Sequence, residues 1–207
     1  MIQFINVTVK HSDSRGIKNV SFKIDKGQFV YLMGPTGAGK STIIKVIQQS
    51  IKIHSGQVIV GNQDISKLNN LELAFYRRDI GMIFQDFKLL NDRTVFENIA
   101  LPLQIEGVKG EIITDKVENI LSRINLNKQS HKYPKELSGG EQQKVCVARA
   151  LIKKPTIILA DEPTGNLDPS ASDDIIDLFE EESKSGMTII MATHNYPLIE
   201  GRIQNFI

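Results

Sequence analysis

From Ile2 to Val9 the chain sets apolar Ile2, Phe4, Val7 and Val9 among polar neighbours, and a similar pattern returns over residues 20–24. A period near two predicts half-exposed strands, so the chain should open with a small antiparallel β layer. The pattern changes at residues 28–34, "QFVYLMG", a nearly continuous apolar run ending in glycine. Such a run predicts a strand buried on both faces of a parallel sheet. Two more follow, "TIILAD" at 156–161 and "MTIIMATH" at 187–194.

Between these runs the period lengthens to that of a helix. Ile43, Val46 and Ile47 share one face within residues 41–49, and Val145, Ala148 and Ile152 share one within 140–153. Strands alternating with helices predict an α/β fold layered on a parallel sheet. Residues 86 to about 137 lack buried-strand runs and carry helix-like pieces, "RTVFENIALPLQIEG" and "EIITDKVENILSRINL". They read as a helical lobe inserted into a core of residues 1–85 and 138–207, all within a single domain.

The first apolar run leads into Gly34, Pro35, Thr36, Gly37, Ala38, Gly39, Lys40, Ser41 and Thr42. This is G-x-x-x-x-G-K-[ST] in its required place, after a buried strand and before a helix. Only backbone without Cβ can wrap its N–H groups around phosphate oxygens, and the helix dipole adds a favourable field. Lys40 would reach the β and γ phosphates, and the Ser41 hydroxyl would bind Mg²⁺.

The second run ends in Asp161, at the strand edge where α/β sheets bind ligands. Asp161 can face a metal while Glu162, on the turning chain, faces an attacking water as general base. Gln85 closes a β-like run, "IGMIFQ", and could reach Mg²⁺ or that water, although a glutamine there is usually a solvated turn residue. His194 closes the third run, where a hydrogen-bonded terminator is the ordinary reading. Asp168 has the spacing to cap a helix that begins at Pro169.

One further stretch needs a ligand to explain it: "LSGGEQQ" at 137–143. Ser138 and Glu141 have capping-box spacing, and Gly139 and Gly140 leave the first N–H groups of the helix bare for an anion. The chain thus carries two phosphate-binding helix starts.

Charge and cysteine content narrow the setting. Lys plus Arg number 25 against 24 Asp plus Glu, a formal charge of +1, which gives no footing for nucleic acid. The single cysteine, Cys146, cannot form an internal disulfide and reads as core, in keeping with a reducing compartment. There is no signal-like N-terminus and no apolar run near the ~18 residues of a membrane span, so the expected location is cytoplasmic.

In order and spacing the phosphate loop, Gln85, "LSGGEQQ", "ADEPTGNLD" and "ATH" resemble the nucleotide-binding subunits of ABC-type ATPases over essentially the whole chain. Within them, "MIFQDFKLLNDRTVFENIALPL" at 82–103 and "LSGGEQQKV" look most like the bacterial cell-division ATPases of the FtsE family. Lipoprotein-release and macrolide-export ATPases are close relatives and give the alternative reading.

The resemblance implies that residues 34–42 are the Walker A loop, Gln85 the Q-loop glutamine, and 137–141 the signature motif. Asp161 would be the Walker B aspartate, Glu162 the catalytic base, 166–168 the D-loop and His194 the switch histidine. It implies ATP and Mg²⁺, and a homodimer in which Ser138, Gly139 and Gly140 of one copy meet the nucleotide of the other. It also implies an integral membrane subunit of the FtsX kind, which would hold the chain at the inner face of the cell membrane. His11 stands where relatives place an aromatic residue to stack on adenine, and the chain stops sooner after His194 than most relatives do.

Soluble repair and translation ATPases of the superfamily fit poorly. The former need a long coiled coil between phosphate loop and signature, where no sustained heptads occur, and the latter need two cassettes in one chain.

Overall fold

A computed structural model describes residues 1–10, 16–165, 167–200, 202 and 205–207. His11 and Asn166 lie outside the described residues. The chain opens with β1 (Ile2–Lys10) and β2 (Gly16–Ile24), followed by β3 (Phe29–Met33), α1 (Lys40–Ile47), β4 (Ser55–Val60), β5 (Gln63–Asp64), α2 (Asn70–Arg78) and β6 (Ile80–Ile83). Then come α3 (Val95–Ile105), α4 (Gly110–Arg123), α5 (Gly139–Leu151), β7 (Ile157–Asp161), α6 (Pro169–Lys184), β8 (Thr188–Thr193) and β9 (Asn205–Phe206).

The strands form two sheets. One is antiparallel in the order β2-β1-β4-β5, with Phe4 opposite Phe22 on one side and Val58 on the other. The other has the order β6-β7-β8-β3-β9, and all its pairings are parallel. The fold is therefore an α/β P-loop architecture with a small antiparallel layer beside a parallel sheet.

The period of two along each parallel strand sorts its side chains into two cores. Val30, Leu32, Ile157, Leu159, Ile190 and Ala192 point into the layer shared with α1 and the antiparallel sheet, where Ile2, Phe4, Ile44 and Val58 are buried. Phe29, Tyr31, Ile158, Ala160, Ile189 and Met191 point the other way, against the apolar faces of α3, α5 and α6. Because both faces are covered, β8 is buried at all six positions, which is why its sequence shows no alternation.

Helix starts follow local chemistry. Thr94 caps α3, with Glu97 reaching back to the Thr94 N–H at 2.7 Å, and Asp168 caps α6 by accepting from the Ala171 N–H at 3.0 Å with Pro169 next. Cys146 is buried in α5, where its Sγ donates to the Phe87 carbonyl at 3.0 Å.

Candidate functional site

Three neighbours in the parallel sheet, β7, β8 and β3, end level with one another. Asp161 pairs with Ala192 and Thr193 with Met33, so the residues that follow, Glu162, His194 and Gly34, emerge along one carboxyl edge. Ligands of α/β sheets bind at this edge.

From β3 the chain turns through the glycine loop into α1. Gly39 is the N-cap of α1 with φ 101°, and a Cβ there would lie 2.5 Å from Ile17 Cγ2. An L side chain is excluded by conformation and by space alike. With no capping side chain, the first N–H groups of α1 are left facing the loop's concavity. Within the loop the Ala38 N–H donates to the Pro35 carbonyl at 3.1 Å. Lys40 is only 9% exposed, and its Nζ donates to the carbonyls of Gly34 at 2.7 Å and Pro35 at 3.2 Å.

The two acids diverge. Asp161 Oδ1 accepts from the Ser41 hydroxyl at 3.0 Å. Burial, with a smaller push from the charge of Glu162, raises the Asp161 carboxyl above its ordinary pKa against the pull of the Ser41 hydrogen bond. Glu162 has φ 50°, the left-handed turn that carries its side chain off the line of the strand. Its Oε1 lies 2.9 Å from His194 Nδ1 and 3.9 Å from Lys40 Nζ. The Glu162 carboxyl meets Lys40 and an imidazole there, while its neighbour is committed to a hydroxyl.

A cleft of about 330 Å³ is lined by Thr36, Gly37, Gly39, Lys40, Ser41, Thr42, Gln85, Glu162 and His194; Asp161 stands behind it through Ser41, and Gly34, Pro35 and Ala38 do not line it. Gln85 sits two residues beyond the end of β6 and is exposed on the cleft wall. Gly16, at the start of β2, also lines the cleft. Its sequence signal, one glycine in a polar stretch, resembles that of any turn.

Ser138, Gly139 and Gly140 lie elsewhere. Ser138 caps α5 in a complete capping box: its N–H donates to Glu141 Oε2 at 2.8 Å, and its Oγ accepts from the Glu141 N–H at 3.2 Å. Ser138 and Gly139 are exposed, and none of the three residues lines the cleft. The nearest side-chain atoms to a Cβ built on Gly140 belong to Leu167 and Ala171, beside the start of α6.

Among the described residues no group of three or more His, Cys, Asp or Glu converges to hold a metal. What converges is one hydroxyl and one carboxylate, Ser41 and Asp161. That hard oxygen pair suits an octahedral cation whose remaining positions are filled by phosphate and water.

Comparison with known proteins places the chain in a family. Residues 17–165 match the family model described as ABC transporter. The chain is 44% identical over 203 residues to the cell division ATP-binding protein FtsE of Escherichia coli K12, covering 98% of this chain and 91% of that protein. The dimeric structure of MJ0796, a bacterial ABC transporter cassette, superposes with a TM-score of 0.87 at 37% identity, covering 96% of this chain and 90% of that one. A post-hydrolysis state of the same cassette bound to ADP and Pi gives a TM-score of 0.87 at 36% identity, with the same coverage. Sequence, fold and cleft agree, and the chain belongs to the ABC transporter family as one of its ATP-binding, ATP-hydrolysing cassettes.

Proposed function

We propose that this chain is the ATPase subunit of an FtsE–FtsX-like complex and works in bacterial cell division at the inner face of the cell membrane. The observation that carries the membrane-partner reading is the 44% identity to FtsE across nearly the whole chain. Among the described residues no helix is long and apolar enough to cross a membrane, so an integral partner would have to supply the span. The 37% identity to a transporter cassette supports a second reading, the ATPase of a lipoprotein-release or efflux transporter.

The residues divide the work. The backbone N–H groups of Thr36, Gly37, Ala38 and Gly39 and the start of α1 hold the phosphates of ATP, with Gly34 and Pro35 shaping the turn and Thr42 extending the grip. Lys40 exchanges its two loop carbonyls for phosphate oxygens. Ser41 and Asp161 are the residues to hold Mg²⁺, with Gln85 on the facing wall; the ion supplies charge neutralisation at the phosphates when bound. Glu162 takes the proton of the attacking water, and His194, 2.9 Å away, orients that carboxylate. His11 is proposed to stack on the adenine.

Ser138, Gly139 and Gly140 act in trans. Their exposed helix start and its absence from the cleft of its own chain support a homodimer with two composite sites, in line with the dimeric relative. The domain reading is likewise a proposal: a core of residues 1–85 and 138–207 with the helical lobe between.

The test of the cellular role is co-purification from bacterial membranes. A four-span integral protein with a large extracytoplasmic loop and no solute pathway is expected to accompany the chain. A partner with a substrate-conducting path would overturn the division reading in favour of the transporter one.

A further inference from the structure

The phosphate-loop helix α1 is only eight residues long and has no capping side chain at its start. Helices this short are marginal alone, so α1 stands where its surroundings hold it. Its buried stripe, Ile43, Ile44, Val46 and Ile47, fixes it sideways against the sheet. What fixes it lengthwise is at its rear end.

The carbonyls there can be accounted for one by one. Those of Ile44, Lys45 and Val46 accept from the backbone N–H groups of Gln48, Ser50 and Gln49. The next three are taken by two side chains of α2. The Ile47 carbonyl accepts from the Tyr76 hydroxyl at 2.6 Å, the Gln48 carbonyl from Arg77 Nε at 3.1 Å, and the Gln49 carbonyl from Arg77 Nη2 at 2.7 Å. Gln49 has φ 58°, which turns the chain back so that one guanidinium can bridge two successive carbonyls.

α2 has no fully buried residue and is itself anchored at its C-terminal end. The Arg78 carbonyl accepts from Lys153 Nζ, and Asp79 Oδ2 accepts from the Thr156 hydroxyl at 2.6 Å. Thr156 immediately precedes β7, the strand whose far end carries Asp161 and leads into Glu162. The rear of the phosphate helix and the root of the acid strand are thus referenced to the same anchored helix.

We infer that Tyr76 and Arg77 are positioning residues for ATP binding, holding α1 at the height where its first turn and Lys40 meet the phosphates. Their action is mechanical. Eight residues at 1.5 Å each separate the guanidinium from the start of α1 by about 12 Å, beyond the Debye length of ~8 Å at physiological salt. Its direct field at the phosphates is therefore screened. The grip on the phosphates is common to bound ATP and to the reacting state, so its loss should appear in affinity rather than in turnover.

The test is steady-state ATPase kinetics and equilibrium ATP binding on the full chain, with Arg77→Ala, Arg77→Lys and Tyr76→Phe. Arg77→Ala should raise KM and Kd for ATP about tenfold while kcat stays within about twofold. Arg77→Lys should recover part of this, since an ammonium can serve one carbonyl but not bridge two. The ratio to wild type should not change between about 0.05 and 0.3 M salt.

Tyr76→Phe keeps the ring and removes one hydrogen bond, so it reports on the inference even if Arg77→Ala does not fold, with an expected rise of about threefold. Affinity within twofold of wild type in Tyr76→Phe and in a folded Arg77 variant overturns the inference, as does an affinity loss that salt abolishes. The inference rests on reading the cleft as the ATP site. A wild-type chain that fails to bind ATP would overturn that reading instead.

Discussion

At the scale of single residues, the division between Asp161 and Glu162 decides the chemistry. Adjacent in sequence, they are separated by the left-handed turn at Glu162, so one carboxylate is held by the Ser41 hydroxyl and the other meets His194 and Lys40. Glu162→Gln keeps the shape and the hydrogen bond to His194 but cannot take a proton. General base catalysis contributes about 10² to 10⁴, so turnover should fall by at least about a hundredfold while ATP binding persists. Comparing single-turnover hydrolysis with equilibrium nucleotide binding checks both halves, and unchanged hydrolysis would refute the role of Glu162. The pair was legible in sequence because a carboxylate doublet ends an apolar run beside a phosphate loop. The turn that separates the two side chains was legible as well, since the chain must leave the strand there; its left-handed form, φ 50° at a non-glycine residue, was not, because it leaves no mark on composition.

At the scale of elements, the strands and helices visible beforehand were those with a complete period. β3, β7 and β8 are buried on both faces and show it as unbroken apolar runs, and α5 and α6 announce their starts with Ser138 and with Asp168 before Pro169. β4, β5 and β9 gave no such signal, and α2 announces only its start, with Asn69 and Glu72 in a capping box. The first half of β4 is exposed and polar, β5 and β9 are two residues each, and α2 has no buried stripe. The three strands exist because a neighbour's backbone holds them, and beyond its own cap α2 is held by the carbonyls that Tyr76 and Arg77 reach, which is information carried by other parts of the chain. The loop that follows Gln85 illustrates the same dependence. Asn98, fully buried in α3, accepts from the Leu90 N–H at 2.8 Å and donates to the carbonyls of Leu90, Arg93 and Thr94, while Arg149 donates to those of Phe87 and Lys88. Asn98→Ala removes the side-chain partner of the Leu90 N–H and of the Arg93 carbonyl, while the Leu90 and Thr94 carbonyls keep the N–H groups of Arg93 and of residue 98. Each unsatisfied buried group costs about 1–3 kcal/mol, so a net loss of about 2–4 kcal/mol is expected. Urea unfolding with an unchanged m-value would measure it, and a loss below about 1 kcal/mol would show that water replaces the amide.

At the scale of the whole molecule, the two phosphate-binding helix starts identified in sequence occupy different places on one chain. The start of α1 opens into the cleft, and the start of α5, with Ser138 and Gly139 exposed, does not. In the proposed homodimer, a twofold pairing of chains would give each cleft the helix start it lacks and would tie closure to a γ phosphate that ADP does not carry. Ser138→Asp isolates that arrangement. Aspartate can still accept from the Glu141 N–H as serine does, and the Glu141 carboxylate, which loses the Ser138 hydroxyl and would be repelled, can turn toward Gln129. So α5 and its fit to Leu167 and Ala171 should survive, and ATP binding to the cleft of the same chain should stay within about threefold. The new carboxylate, however, stands where the other copy's phosphate must approach. Two unit charges about 4 Å apart at an effective dielectric of 20 repel by about 4 kcal/mol, close to a thousandfold. Turnover should collapse to that extent, and the ATP-dependent dimer expected of the Glu162→Gln background should disappear from size-exclusion chromatography when Ser138→Asp is added. A Ser138→Asp chain that hydrolyses ATP at the normal rate would mean that the helix start of α5 serves no nucleotide, and the composite site would have to be abandoned.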